Sequence, residues 1–273
     1  GTNCGLIGMN AAIEVDGAAY WMSENGFFRF TGKLESMQCL VEDYVYDDLN
    51  TTAQQLINCG LNNLFGEIYW FYPSNSSEVV NRMVSYNYLD SSPQRQIWVT
   101  SSLDRTTWSD SAVFGKPHGT KYTAGNDVSF DVVGNTEGRT AYFEHETGTD
   151  QVEAGSVSAI AASVESGDYD ITVTKEGGAT LQGDGEFLMK IRRFLPDFIS
   201  QTGNTQITLN LRDYPNSSQA SSPLGPFTIS SSTTKVDTRA RARAVSLKIA
   251  NTGTSQDWKL GTFRLDIQPD GRR

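Results

Sequence analysis

The side chains here best suited to acid–base or metal chemistry are two histidines, three cysteines and several groups of carboxylates. His145 sits in Phe143-Glu144-His145-Glu146. Two flanking carboxylates would raise its pKa and could make it a base or a metal ligand. The commoner role for a strand-end histidine beside glutamates is a solvated side chain or an ion-pair partner. His118 lies between Pro117 and Gly119 and is expected in a loop. Cys4, Cys39 and Cys59 are odd in number and form no CxxC pair, so free buried thiols are expected and a metal site is not. Asp43, Asp47, Asp48, Asp104 and Asp110 could include the two carboxylates of a glycosidase, but that chemistry needs a defined separation across a cleft. The sequence has no HExxH, GxSxG, P-loop or glycine-rich dinucleotide turn. No catalytic residue, cofactor or metal is predicted.

The other candidate site is electrostatic. Arg239-Ala240-Arg241-Ala242-Arg243-Ala244-Val245-Ser246-Leu247-Lys248-Ile249 has period two, which predicts a strand. Read as one strand, it puts Arg239, Arg241 and Arg243 on the face that Val245, Leu247 and Ile249 continue. A basic rim, a subunit contact or a nucleic-acid-facing wall would each use such a ladder. Arg239, Arg241 and Arg243 are therefore candidate subunit or inter-domain interface residues.

Charge separates along the chain. Residues 1–185 hold 9 Lys/Arg and 25 Asp/Glu, a balance of -16, whereas residues 186–273 hold 13 and 7, a balance of +6. The asymmetry predicts two modules, or head-to-tail association between copies. The overall net charge of -10 argues against tight nucleic-acid binding, which needs clustered cations to displace counterions. An acidic wall still suits a conduit along which DNA does not stick. No run of 18 apolar residues is present, so no membrane span is predicted. The start lacks a secretory pattern and a Met, and the sequence reads as a piece of a longer protein.

The elements that must position these groups are mostly strands. Ala18–Met22 and Phe27–Phe30 flank Asn25-Gly26, a hairpin signal. Ala53–Asn58 predicts one short helix, with Asn50, Thr51 or Thr52 as cap and Gly60 as stop. Glu67–Tyr72, Asn81–Tyr88, Gln96–Thr100 and Tyr142–His145 predict further strands, with Arg82, Val84, Tyr86 and Tyr88 on one face. Aromatic hairpins at this spacing predict propeller-like blades. From about residue 153 the texture changes. Gly177-Gly178 and Gly183-Asp184-Gly185 read as turns, Phe187–Leu195, Gln206–Arg212 and Thr262–Ile267 as strands, and the Ser/Thr/Pro-rich residues 215–234 as a long loop. The predicted fold is all-β: propeller-like blades with one short helix over 1–152, followed by a C-terminal β-sandwich or small barrel over 153–273.

Ser102-Leu103-Asp104-Arg105-Thr106-Thr107-Trp108 resembles a shortened Asp-box, the structural turn of sialidase-like propellers, without its glycine. More extensive is a succession of segments in order. It comprises Tyr20-Trp21-Met22-Ser23-Glu24-Asn25-Gly26-Phe27-Phe28, Asp43-Tyr44-Val45-Tyr46-Asp47-Asp48-Leu49-Asn50 and Gly66-Glu67-Ile68-Tyr69-Trp70-Phe71-Tyr72-Pro73-Ser74. Leu103-Asp104-Arg105-Thr106-Thr107-Trp108 and Glu144-His145-Glu146-Thr147-Gly148-Thr149-Asp150 come next. Phe194-Leu195-Pro196-Asp197-Phe198, Arg239-Ala240-Arg241-Ala242-Arg243 and Asp266-Ile267-Gln268-Pro269-Asp270-Gly271-Arg272-Arg273 complete it. In these segments the chain resembles the packaged-DNA stabilisation and tail-nozzle (tail tubular B-like) proteins of short-tailed bacteriophages, and specifically their C-terminal part.

The resemblance implies a non-enzymatic virion protein of the phage tail, without cofactor. It implies a homo-hexameric ring below the portal and adaptor proteins, with tail spikes or fibres on its flank. Double-stranded DNA would be retained and then pass through the lumen during ejection, without sequence-specific binding. In a head-to-tail ring, one side of each subunit must complement the other. The alternatives are a carbohydrate-active enzyme built on a β-propeller, which requires a buried carboxylate pair with one raised pKa, and a lectin-like adhesion module with an exposed aromatic patch.

Overall fold

Period-two burial explains most of the computed structural model, which describes residues 3–123, 138–173, 179–181, 185–214, 222–251 and 253–272. The fold is all-β, built from antiparallel sheets, and no sheet among the described residues closes into a barrel. The chain divides into two compact units, Gly1–Thr147 and Gly148–Arg273.

The first unit begins with a four-stranded meander of β1 (Ala12–Val15), β2 (Ala18–Ser23), β3 (Gly26–Phe30) and β4 (Leu34–Met37). The predicted hairpin is β2–β3, with Ser23 opposite Gly26, whose φ is 110°. A second hairpin joins β1 to β2 through Asp16-Gly17, with φ of 52° and 78°. Both values are positive, as a type I′ turn requires. Helix α1 (Glu42–Asp47) comes after the meander. It buries Val45, and the Tyr46 hydroxyl clamps the β2–β3 hairpin, donating to Ser23 O at 2.6 Å and accepting from Gly26 N at 3.1 Å.

A second meander contains β5 (Asn58–Asn62), β6 (Glu67–Tyr72), β7 (Arg82–Ser92) and β8 (Arg95–Ser101). The helix predicted over Ala53–Asn58 is reduced to one 3-10 turn at Gln54–Leu56, and the short helix of this region is α1 instead. Ile57 is buried in the core and Cys59 and Leu61 pack on it, so a strand period prevails over the helical signal. Asn50 still organises the turn, accepting at Oδ1 from Thr52 N at 2.9 Å and Thr52 Oγ1 at 2.7 Å. Gly60 lies inside β5 and stops nothing.

The two meanders share one core. Phe27 packs edge-on to Trp70 at 5.0 Å, and Trp98 contacts Phe27 and Tyr86, each at 4.8 Å. Trp70 Nε1 donates to Ala11 O, so the indole keeps its hydrogen bond while fully buried. As predicted, Val84 and Tyr86 share that core face with Tyr88, while Met83 faces a second cluster with Tyr69 and Phe71. β6 is thus buried on both faces. Onto its second face packs a three-stranded sheet, β9 (Thr107–Ser109), β10 (His118–Thr123) and β11 (Arg139–Glu144), through Trp108. A one-turn helix, α2 (Ser111–Phe114), separates β9 from β10.

The second unit contains β12 (Asp150–Glu153), β13 (Ser156–Ala159), β14 (Ser163–Glu165), β15 (Ile171–Val173), β16 (Ala179–Leu181), β17 (Met189–Leu195), β18 (Phe198–Thr202), β19 (Thr205–Arg212), β20 (Ser222–Ile229), β21 (Val236–Ala242), β22 (Ala244–Ala250), β23 (Asp257–Leu260) and β24 (Arg264–Pro269). Two sheets, β14-β22-β19-β20 and β21-β17-β24, enclose one core and form a sandwich. Ile207, Leu209, Val245, Leu247 and Ile249 come from the first sheet; Met189, Ile191, Phe194 and Ala240 come from the second. Three two-stranded ribbons, β12–β13, β15–β16 and β18–β23, complete the unit.

This half departs from expectation in several places. The loop expected over 215–234 contains strand β20 at Ser222–Ile229, because Leu224, Phe227 and Ile229 supply core side chains. The predicted turns at Gly177-Gly178 and Gly183-Asp184 lie outside the described residues. The unit boundary falls at 147/148 rather than 152/153. With that boundary the first unit holds 8 Lys/Arg and 18 Asp/Glu, a balance of -10, and the second holds 14 of each. The second unit is therefore neutral overall, and its basic character is local.

Candidate functional site

The arginine ladder is two strands, not one. β21 belongs to one sheet of the sandwich and β22 to the other, and the chain crosses between them at Arg243. The crossing inverts the parity. Ala240 and Ala242 face the core, Arg239 and Arg241 face outward, and Val245, Leu247 and Ile249 face inward again. The arginines therefore do not share a face with those apolar residues.

The three arginines also differ from one another. Arg243 holds the chain at the crossing, donating from Nη1 to Glu186 O at 2.6 Å and Gly185 O at 3.2 Å, and from Nη2 to Arg272 O at 3.0 Å. Arg241 pairs with the Asp270 carboxylate and also reaches Asp270 O. Arg239 is exposed, and among the described residues no carboxylate lies within ion-pair distance of it. The structure places Arg239 and Arg241 together on the outer face of β21-β17-β24 and commits Arg243 to the fold.

That face carries more cations than the ladder predicts. Lys190 on β17 sits in register between Arg241 on β21 and Gln268 on β24. Arg192 lies at a bulge in the same strand, next to Arg193. Arg193 is paired with Asp266 at 3.3 Å and more loosely with Asp237 at 3.8 Å. Together these residues line an open depression of about 470 Å³. Lys190, Arg192 and Arg193 escape ladder-type reasoning because they come from a strand far away in sequence. Their alternation with buried Met189, Ile191 and Phe194 is the one signal the sequence offers.

A second constellation lies in the first unit. Arg105 is only 4% exposed, and its guanidinium sits 4.1 Å above the Phe143 ring. Its Nη1 pairs with Asp104 Oδ1 at 2.7 Å, and Asp104 Oδ2 also pairs with Lys121 at 3.1 Å. Arg105 Nε donates to His145 Nε2 at 3.0 Å. Neutral His145 therefore carries its ring proton on Nδ1, and its Nε2 lone pair is occupied. Burial first, then the Arg105 charge and His118, push its pKa down to about 4.

This overturns the expected raised pKa and also the solvated or ion-paired role. Glu144 pairs with Lys116 instead, and Glu146 accepts from Asn62 Nδ2. His145 packs at a tilt against Trp108, centroids 4.6 Å apart, and Trp108 Nε1 donates to Leu61 O at 2.8 Å. The Asp-box-like turn thus pins β9 against β5, which is a packing role. His118 is not in a loop. It opens β10, is buried, and bonds through Nδ1 to the Tyr142 hydroxyl at 2.6 Å.

One carboxylate pair escapes the sequence reading. Tyr69 donates to Glu67 Oε2 at 2.8 Å, and Asn62 Nδ2 donates to the Tyr69 hydroxyl and to Glu146 Oε1. Burial pushes the Glu67 pKa up, with a smaller contribution from the Glu146 charge. Glu67 and Tyr69 share a face of β6, and that spacing is the only clue in the sequence. Asp43 and Asp47 are exposed on α1, Asp48 pairs with Arg82, and Asp110 accepts from Asn63.

The three cysteines form no disulfide and are half-buried; burial raises the Cys39 thiol to about 12 and raises that of Cys59 as well. Among the described residues, no three His, Cys, Asp or Glu side chains are grouped to hold a metal, and no helix is long and apolar enough to cross a membrane. The chain matches no protein-family model and no curated protein.

Proposed function

We propose that this chain is a structural, non-catalytic subunit of a short-tailed phage tail, of the packaged-DNA stabilisation and nozzle type. In this reading it assembles head to tail into a hexameric ring. Portal or adaptor proteins lie above it and spikes or fibres attach to its flank. DNA passes through an acidic lumen without sequence-specific contacts. The phage assignment rests on the ordered succession of segments from Tyr20 to Arg273. Self-assembly rests on one observation: a first unit of net charge -10 and a sharply localised basic face on an otherwise neutral second unit. A heterologous interface uses two different surfaces of each subunit, and these surfaces are suited to meet. The side chains first considered for chemistry are engaged in packing, as the Arg105–His145 and His118–Tyr142 bonds illustrate. Negative-stain electron microscopy of the purified chain and of virions tests the reading. Rings of copies around a channel are expected; a dispersed monomer absent from virions refutes it.

Glu67 favours a second reading, a carbohydrate-active enzyme, because a half-buried carboxyl with raised pKa beside another carboxylate is the pattern of an acid paired with a base. Glycan hydrolysis abolished by both Glu67→Gln and Glu146→Gln would establish that reading over the structural one.

A further inference from the structure

The outer face of β21-β17-β24 has unequal charge compensation. Arg193 and Arg241 have carboxylates of their own in Asp266 and Asp270. Lys190, Arg192 and Arg239 are exposed, and among the described residues none has a carboxylate within ion-pair distance. Adjacent strands lie about 5 Å apart and alternate residues about 7 Å apart, so such cations repel one another unless an anion meets them. The face is an open depression, which suits an anionic protein surface better than an enclosed small ligand.

The first unit supplies such an anionic surface. α1 is anchored through Val45 and the Tyr46 clamp, and it exposes Asp43, Tyr44 and Asp47. Asp43 and Asp47 stand four residues apart on one helix face, a like-charge spacing that destabilises an isolated helix. Asp47 also lies in the last turn, where the helix dipole disfavours an anion, and that turn has no basic residue. Tyr44 is 56% exposed and Leu40 beside it 75% exposed, so apolar surface adjoins the carboxylates. Asp43, in the first turn, suits the dipole, whereas Asp47 opposes it and repels Asp43; a cationic surface that meets both relieves that cost.

We propose that Lys190, Arg192 and Arg239 on the outer sheet face seat helix α1 of a second copy of this chain, with Asp43 and Asp47 as the charges they meet. This rests on the head-to-tail assembly proposed above and names its contact. Guanidinium groups give such pairs directional, bidentate geometry. Arg241 and Arg193 stay paired with Asp270 and Asp266, and Arg243 takes no part.

The test is the mass of the full chain by analytical ultracentrifugation at 0.15 M salt, for wild type, Lys190→Glu/Arg192→Glu/Arg239→Glu, Asp43→Lys/Asp47→Lys, and the two sets mixed in equal amounts. Wild type should form oligomers, and each charge-reversed set alone should associate at least tenfold more weakly. The mixture should regain assembly, because each reversed surface then finds its complement in the other set. Circular dichroism of each set should match wild type. A triple variant that assembles like wild type overturns the contact and leaves the ring reading intact. Failure of the mixture to assemble overturns the pairing with α1. Wild type that stays monomeric at every concentration removes the ring reading and this contact together. Polyphosphate binding by wild type, lost in the triple variant without change in mass, would assign the face to a soluble polyanion instead.

Discussion

Gly60 faces the Trp108 ring from inside β5. A Cβ at this position would lie 2.5 Å from Trp108 Cδ1, 2.6 Å from Cγ and 2.8 Å from Cβ. The ring cannot easily move away. Its Nε1 is bonded to Leu61 O, and it packs on Tyr69, Phe71 and His145 with centroids at 5.2, 5.6 and 4.6 Å. Gly60→Ala should therefore displace the indole. Overpacking of this kind costs about 1–3 kcal/mol. Losing the indole hydrogen bond adds about 1 kcal/mol. Lower unfolded-state entropy returns about 0.4–1 kcal/mol, since the position has no left-handed φ that would strain alanine. The net loss is about 2 kcal/mol, or about 4–8 °C in Tm for a unit of this size. Urea unfolding followed by tryptophan fluorescence reads it, because Trp21, Trp70, Trp98 and Trp108 all belong to the first unit. The same substitution should cost far less in a Trp108→Leu background. An unchanged or raised Tm for Gly60→Ala, or an equal cost in both backgrounds, would refute the packing argument.

His145 is held neutral in the folded state, its pKa pushed down to about 4, so the unfolded chain binds more protons between there and the ordinary histidine value. Its contribution is complete above about pH 6.5 and is lost as pH falls toward 4. His145→Gln, which keeps an acceptor for Arg105, should flatten the fall in Tm between pH 7 and 5 relative to wild type; parallel curves contradict this. Arg243→Ala should lower second-unit stability by about 2 kcal/mol, because three backbone carbonyls lose a charged donor, whereas Arg239→Ala should change it by less than about 0.5 kcal/mol. Calorimetry distinguishes them, and equal effects would contradict their assignment to fold and surface. Phe194 is fully buried between Phe227 and Phe263, so Phe194→Ala should cost about 3–5 kcal/mol and lower the calorimetric transition of the second unit. A loss below about 1 kcal/mol would show that the sandwich core is organised otherwise.

Local periodicity carries the fold a long way. The β2–β3 hairpin, strand β6, the shared face of Val84 and Tyr86 and the all-β class are legible from alternation and turn residues alone. Where tertiary packing competes, local signals fail. Ala53–Asn58 has helical composition, but burial of Ile57 draws Asn58–Asn62 into strand β5. The Arg239–Ile249 run has one unbroken period, yet the chain changes sheets within it, and a sheet crossing leaves no mark in a period of two. His145 misleads because its sequence neighbours are glutamates, whereas its spatial neighbour is an arginine forty residues nearer the N-terminus. Lys190 and Arg192 join Arg239 only through strand pairing, so the full basic face lies beyond any linear reading.

The pairing pattern also determines the order in which the chain can acquire structure during translation. In the first unit each meander is completed by strands consecutive in sequence, so neighbouring segments can pair as soon as they emerge. In the second, β17 sits between β21 and β24, and β14 pairs in its sheet with β22. Synthesis must therefore reach Pro269 before β17 has both flanking strands. Closing such long loops is slow, and exposed edges wait meanwhile. A nascent polypeptide halted near residue 240 would carry a protease-resistant first half and a second half that a chaperone must still shield.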